Sequence, residues 1–230
     1  MRRGVVAGFS LCVLAGCQTA PLVSPEVPYQ GFAEAIRAIG FEDLALPTTA
    51  YGPGSLVTSR AGSGGLSPPL KLAYICRPDF ASAPPPLVDE AASGRAASAL
   101  AGGLAFNGAR LGALGIGANA SYVESVTLTL ANLKVEQLPY EDAAGIIARL
   151  GPGCAAQVHK YKSMGIAYQT LQALRGDVTY QVTFKAGASA EVKTAVINGL
   201  GLSAGGSAAR TGDASVSATG LYLGLGLKKI

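Results

Sequence analysis

The 230-residue sequence is poor in the groups on which most catalytic and metal sites depend. It has one histidine, His159, no tryptophan, and only 14% charged residues. It has four cysteines but no C-x-x-C spacing, so a zinc site built from cysteine and histidine is not expected. The phosphate-binding pattern G-x-x-x-x-G-K-[ST] is also missing. We therefore expect neither a metal nor a cofactor.

The charge balance argues against a nucleic-acid partner. The formal net charge is +4, and two of the positive charges are Arg2 and Arg3 at the N-terminus. A nucleic-acid-binding domain usually concentrates lysine and arginine on one face, and the rest of this chain has nearly balanced charge. Its high content of glycine, 31 residues, instead indicates a domain with small side chains and a weakly charged surface.

The N-terminus has the pattern of an export signal, with two arginines followed by an uncharged apolar segment. About 13 uncharged residues separate Arg3 from Cys17, too few for a spanning helix, which needs about 20. The tetrapeptide Leu14-Ala15-Gly16-Cys17 resembles the lipobox of bacterial lipoproteins. This resemblance implies that Cys17 is acylated, that residues 1–16 are removed, and that the acyl groups anchor the chain in a bilayer. Gln18, in place of aspartate, implies the periplasmic face of the outer membrane.

The other cysteines fit an exported protein. Residues 17–30 contain three prolines and form an extended tether, and residues 31–230 are one periplasmic domain. Cys12 lies in the removed signal, which leaves Cys76 and Cys154. In an oxidising compartment a single remaining pair is most simply a disulfide, although two buried free thiols are the alternative.

The polarity pattern predicts an α+β fold with a mainly antiparallel sheet. Alternating apolar and polar residues predict strands, and alanine-rich segments predict helices that cover the apolar face of the sheet. Glycines in the last strand, at Gly220, Gly224 and Gly226, would let a helix approach closely. The predicted strands are near 70–76, 122–136, 178–185 and 219–229, and the predicted helices are near 91–105 and 189–199.

Two further patterns predict a hairpin and an internal repeat. Residues 167–174 and the strand after them predict a hairpin that turns at Arg175-Gly176-Asp177, with a short helix as the alternative for 167–174. Segments that begin at Asn107 and Asn198 share Asn-Gly and several small residues. They suggest a repeat of a strand-helix-strand-strand unit over 70–136 and 178–230.

Residues 96–109 and 196–209 are strongly depleted in charge. Such a segment can enter a membrane, but alanine and glycine contribute little transfer energy, and Arg110 interrupts the first stretch. A buried, closely packed helix is therefore favoured over a spanning one for the first stretch.

Residues 201–205 match the G-x-S-x-G pattern of serine hydrolases, with Ser203 as the nucleophile. In that fold the catalytic histidine follows the serine, whereas His159 precedes Ser203. We therefore expect no catalytic residue and no enzymatic activity.

Three functions remain to be compared. The favoured one is a non-enzymatic lipoprotein that binds a ligand or an envelope protein partner, or that supports an envelope assembly. The second is a lipoprotein whose uncharged stretches, 96–109 and 196–209, insert into the bilayer or take part in a pore. The third is an envelope hydrolase that uses Ser203.

The lipobox is tested by Cys17→Ser. We expect this variant to remain an unlipidated precursor that leaves the detergent phase, because the thiol that receives the acyl groups is gone. Detergent partitioning and mass spectrometry of the N-terminal peptide measure this, and Cys12→Ser is the matched control. Equal partitioning of Cys17→Ser and the parent would contradict lipidation.

Overall fold

The computed structural model describes residues 30–60, 66–76, 84–114, 117–203, 205, 208–212 and 214–230. Within these ranges the fold is α+β, as predicted, with ten strands in one mostly antiparallel sheet. The strands are β1 (Gln30–Gly31), β2 (Glu42–Thr48), β3 (Leu56–Ser59), β4 (Leu72–Cys76), β5 (Leu87–Asp89), β6 (Leu104–Asn107), β7 (Val123–Gln137), β8 (Tyr168–Phe184), β9 (Ala208–Gly212) and β10 (Ser215–Lys229). The helices are α1 (Phe32–Ala38), α2 (Glu90–Ala99), α3 (Tyr140–Ala148), α4 (Pro152–Ser163) and α5 (Ala190–Ser203), with 3₁₀ segments at Gly108–Leu114 and Gly117–Tyr122.

Three long strands form the centre of the sheet. The strand order is β1-β6-β7-β8-β10-β2, and only β1 and β6 form a parallel pair among these neighbours. The short strands β5 and β9 pair with β7 and β10, and the β3–β4 hairpin pairs with β8. This arrangement confirms that the four predicted strands share one mainly antiparallel sheet.

The main core lies on the sheet face covered by α1, α2 and α5. Ala96 of α2 and Val196, Ile197 and Leu200 of α5 are buried against the central strands, which confirms both predicted covering helices. At Gly224 of β10, a Cβ atom would lie 2.6 Å from Ile36 Cγ2 of α1. The absence of a side chain at Gly224 therefore permits the predicted close helix approach. A Cβ at Gly220 or Gly226 would instead meet Arg175 or Gln172 of β8, so the prediction is wrong at those two positions.

The opposite sheet face has two smaller cores. Successive residues of a strand point to opposite faces, so Leu174 joins the main core while Ala173 packs beneath the β3–β4 hairpin with Leu225. The second small core lies under α3 and contains Ala143 and Ile146. Both faces of the sheet are therefore partly covered, and the cover on the second face comes largely from the hairpin.

The helix predicted near 91–105 is shorter than expected. It ends at Ala99, and Gly103 adopts a φ of 76°, a left-handed conformation that breaks the helical path. The chain then continues as β6, whose Leu104 is buried and pairs with Leu128 of β7. The prediction of one closely packed helix through this stretch is therefore wrong, because pairing with β7 satisfies the backbone after the glycine.

The prediction of a hairpin that turns at Arg175-Gly176-Asp177 is also wrong. Residues 167–174 favour a strand, as expected, but β8 runs without a turn from Tyr168 to Phe184. Arg175 pairs with Lys134 of β7 on one side and with Tyr222 of β10 on the other. Neighbouring strands on both sides thus hold in extended form a tripeptide that looks like a turn when read alone.

The predicted strand-helix-strand-strand order occurs twice, as β5-α2-β6-β7 and as β8-α5-β9-β10. The aligned residues do not coincide structurally, since Asn107 ends a strand and Asn198 lies within α5. The resemblance is therefore one of element order.

The structure confirms the predicted disulfide between Cys76 and Cys154. It links β4 to α4, and the two Cα atoms are 5.7 Å apart. Val158 lies one helical turn after Cys154 and is buried, so this face of α4 turns towards the hairpin.

We expect the double variant Cys76→Ser/Cys154→Ser to lose about 4 kcal/mol of unfolding free energy, because the bond closes a long loop in the unfolded chain. Urea unfolding with a fluorescence readout measures this. The parent treated with reductant is the control and should match the variant. An unchanged unfolding midpoint would contradict a stabilising role.

Candidate binding cleft

A cleft of about 470 Å³ lies between β2, the β3–β4 hairpin and the end of α5. Its walls are mainly aliphatic, with two cations and a few hydroxyl groups. The lining residues are Leu44, Ala45, Leu46, Pro47, Thr48, Tyr51, Arg60, Leu70, Lys71, Leu72 and Ser203.

Backbone pairing brings the aliphatic walls together. The amide of Leu70 donates to the Asp43 carbonyl at 2.8 Å, and the amide of Ala45 donates to the Leu70 carbonyl at 3.2 Å. This short parallel contact aligns Leu44 with Leu70. Leu44, Leu70 and Leu72 pack together in the small core beneath the hairpin, whereas Leu46 packs in the main core. Main-chain hydrogen bonds therefore fix the contact between Leu44 and Leu70.

Two cationic residues, Arg60 and Lys71, are backbone neighbours on the hairpin side of the cleft. The Arg60 amide donates to the Lys71 carbonyl at 2.8 Å, which makes the two residues neighbours. Both side chains are exposed, and neither forms an ion pair with another described residue. None of the described lining residues is acidic. The cleft therefore offers uncompensated positive charge beside aliphatic walls.

Tyr51 is fixed in position next to these charges. Its hydroxyl donates to the Leu72 carbonyl at 2.9 Å, its amide donates to the Tyr74 hydroxyl at 2.8 Å, and its ring lies against that of Tyr74. Burial raises the pKa of Tyr51 above its usual value, and the charge of Arg60 opposes this shift. Tyr51 is therefore a rigid, neutral part of the wall.

Ser203 lines the same cleft, in a geometry unlike that of a hydrolase nucleophile. The hydrolase pattern places its serine between a strand and a following helix, whereas Ser203 is the last residue of α5. Its hydroxyl donates to the Leu200 carbonyl at 2.8 Å. His159 lies on α4 and is exposed, on an element that packs against β4.

A buried ion pair supports β2 from behind. The Asp43 side chain is fully buried and accepts a short hydrogen bond from Arg110, which also donates to the Leu44 and Ala45 carbonyls at 2.7 and 2.9 Å. The Arg110 guanidinium lies 4.5 Å from the centre of the Phe32 ring. Arg37 Nε lies 3.2 Å from the second Asp43 oxygen. The single charge that interrupts the uncharged stretch thus ties the first 3₁₀ segment to the cleft wall.

A second polar cluster joins the three central strands. Arg175 donates to Glu136 at 3.0 Å and to the Gly220 carbonyl at 3.1 Å, and the Tyr222 hydroxyl lies 3.2 Å from the other Glu136 oxygen. Burial, followed by the negative charge of Glu136, raises the pKa of Tyr222 to about 12. The hydrogen bond that Arg175 donates to Glu136 raises the pKa of Arg175. These groups satisfy one another, so we assign the cluster to strand packing.

Few of the residues of the cleft and of the ion pair behind β2 can be predicted from the sequence. Cys17 and most of the tether lie outside the described residues, and Cys76 and Cys154 are bonded away from the cleft lining. Arg60 and Lys71 were missed because each is an ordinary surface cation when read alone. The ion pair behind β2 had a signal, since Arg110 is an isolated charge in an apolar stretch and needs a buried partner.

Every helix of the described residues is too short or too polar to span a bilayer. In the same part of the chain, no three histidine, cysteine, aspartate or glutamate residues group as metal ligands would.

Comparisons with known proteins are sparse. No protein family and no curated protein matches the sequence. Among solved structures, a bacterial gasdermin from Bradyrhizobium tropiciagri aligns with 16% identity and a TM-score of 0.37 over 88% of this chain and 87% of that chain. A similarity this distant assigns neither fold nor function.

We expect Asp43→Ala to lower the unfolding free energy by about 3 kcal/mol, because it leaves the Arg110 charge without its partner. The neighbouring Glu42 is exposed, so Glu42→Gln is the matched control and should change stability by less than about 0.5 kcal/mol. Urea unfolding measures both. Equal stability of the two variants would show that the ion pair contributes nothing.

Proposed function

We propose that this chain is a lipid-anchored, non-enzymatic binding protein at the periplasmic face of the outer membrane, with the cleft beside β2 as its binding site. The observation that carries the proposal is the composition of that cleft. Its lining combines four leucines with Arg60 and Lys71 and has no acidic residue among those described. Ligand sites are typically clefts of about 300–1,000 Å³ with mostly apolar walls and a few placed polar groups.

Two sequence features support the location. The lipobox at residues 14–17 resembles that of lipoproteins attached to the bilayer by acyl chains, and two or more chains anchor a protein stably. The Cys76–Cys154 disulfide fits an oxidising compartment such as the periplasm. The tether of 14 residues, 17–30, would hold the domain within about 50 Å of the membrane, because a fully extended residue spans about 3.3–3.6 Å.

The geometry around Ser203 favours binding over hydrolysis. Its hydroxyl is engaged with a backbone carbonyl at a helix end, and the described residues that line the cleft include no histidine or carboxylate that would activate it. A serine hydroxyl without an adjacent base is a weak nucleophile.

One observation favours membrane insertion as a second candidate function. Helix α5, which contains residues 196–203 of the second charge-poor stretch, contacts both 3₁₀ segments, the first of which begins at the end of the first stretch. The Arg110–Asp43 pair holds the first of these segments against β2. Release of that pair would free a polypeptide segment with little charge, as insertion requires.

The lipidated protein should cause no release of dye from liposomes, since Leu100 and Leu104 of the first charge-poor stretch and Ile197 and Leu200 of the second are buried in the main core. Carboxyfluorescein release measures this for the parent and for Asp43→Ala, with Glu42→Gln as the control. Dye release by the parent, or by Asp43→Ala alone, would overturn the binding proposal in favour of insertion.

Hydrolysis is tested separately with Ser203→Ala. We expect the parent and the variant to show the same background rate on nitrophenyl esters of short and long acyl chains. A rate that falls on substitution while the circular dichroism spectrum stays unchanged would contradict the non-enzymatic assignment.

A further inference from the structure

We propose that the cleft binds a single-chain anionic amphiphile, with its acidic head against Arg60 and Lys71 and its alkyl chain along the leucine walls. This inference rests on the proposed function, because it takes the same cleft as the binding site. It adds the chemical class of the ligand, an alkyl chain that ends in a carboxylate or a phosphate.

The cations define the position of the head group. Arg60 and Lys71 are backbone neighbours on the β3–β4 hairpin, and neither has an acidic partner among the described residues. A guanidinium donates two parallel hydrogen bonds to a carboxylate or phosphate, and an ammonium adds a compact charge. An acidic head that bridges both side chains would therefore compensate charge that is left unpaired within the described part of the chain.

The leucines define the position of the chain. Leu44 and Leu70 form a backbone bridge and share one small core with Leu72, while Leu46 lines the cleft from the main core. These four side chains are each less than a tenth exposed, so the protein core holds them in place and only their exposed edges face the cleft. Burying an alkyl chain against such walls removes apolar surface from water, and each methylene contributes about 0.8 kcal/mol.

The Tyr51 and Ser203 hydroxyl groups line the cleft but are not needed to bind the acidic head. The Tyr51 hydroxyl and the Ser203 hydroxyl both donate to backbone carbonyls. Both hydroxyls therefore already have acceptors, and the two side chains contribute mainly to the shape of the cleft. Discrimination is left to the two cations and the leucines.

This composition disfavours the related ligand classes. A neutral alcohol of the same length would fill the leucine walls but leave both cations without a counter-charge. Inorganic phosphate or acetate would meet the cations but leave the walls in contact with water. A cationic ligand would meet like charge, because the described lining has no acidic residue. Only a molecule with both an acidic head and an alkyl chain uses all of the cleft.

Photolabelling tests this with the processed, lipidated protein in phosphatidylcholine nanodiscs. The probe is a 12-carbon fatty acid with a diazirine near its alkyl end, and peptide mass spectrometry locates the label. We expect saturable labelling of peptides that contain Leu44–Thr48 or Leu70–Leu72. Labelling that is not saturable, or that falls on other segments, would overturn the proposal.

Unlabelled competitors distinguish the head groups. We expect dodecanoate or dodecyl phosphate to displace the probe, and the stronger of the two identifies the source as a fatty acid or a phosphorylated lipid. Dodecanol, acetate and inorganic phosphate should be at least tenfold weaker. Equal competition by dodecanol would show that charge plays no part, and equal competition by inorganic phosphate would show a simple anion site. Either result overturns the proposal.

Paired variants test the cations. Arg60→Gln/Lys71→Gln should weaken competition by dodecanoate at least tenfold, since charged hydrogen bonds are lost. The charge-preserving exchange Arg60→Lys/Lys71→Arg should retain most binding. Arg95→Gln/Lys162→Gln, which removes one arginine and one lysine on exposed faces of α2 and α4, is the matched control. Unchanged competition with the first variant would refute the assigned head position.

Failure of the ligand proposal and failure of the proposed function give different experimental results. Failure of labelling would overturn the ligand class but would not contradict the proposed lipid anchor or the proposed lack of hydrolysis. Dye release by the parent would overturn the proposed function even if the cleft is labelled.

Discussion

The buried carboxylate of Asp43 is the constraint on which much of this structure depends. A fully buried charge is costly unless it is paired, and here Arg110 supplies the partner from a segment that is distant in sequence. The same arginine donates to two carbonyls of β2 and packs on Phe32 of α1. One interaction therefore fixes the first 3₁₀ segment, the edge strand and the first helix relative to one another.

The position of the cleft follows from that arrangement. With β2 held from behind by Arg110, Leu44 packs beneath the β3–β4 hairpin, and Arg60 and Lys71 of the hairpin line the same cleft. The Cys76–Cys154 bond ties the hairpin to α4, so the second wall is also restrained. A cleft with two restrained walls needs little rearrangement to bind, and pre-organisation of this kind lowers the entropic cost of binding.

The central strands show how a polar network can serve packing alone. Arg175, Glu136 and Tyr222 come from three adjacent strands, and each satisfies another. Such a network resembles a catalytic site in composition. It differs because no buried group in it is left without a partner, and a strained or unsatisfied group is the usual sign of reactivity.

The sequence by itself determined the alternating strands, the helix that contains Val196 and Ile197, the disulfide, and the glycine at 224 that admits α1. These depend on local periodicity or on elimination among few residues, so they need no knowledge of neighbours. Tertiary structure alone decided that Arg175-Gly176-Asp177 is extended, because pairing on both sides outweighs a local preference to turn. It also decided the pairing of Arg110 with Asp43 and of the cleft leucines with Arg60 and Lys71. These residues are far apart in the sequence or come from different strands, and no local pattern encodes which of them meet.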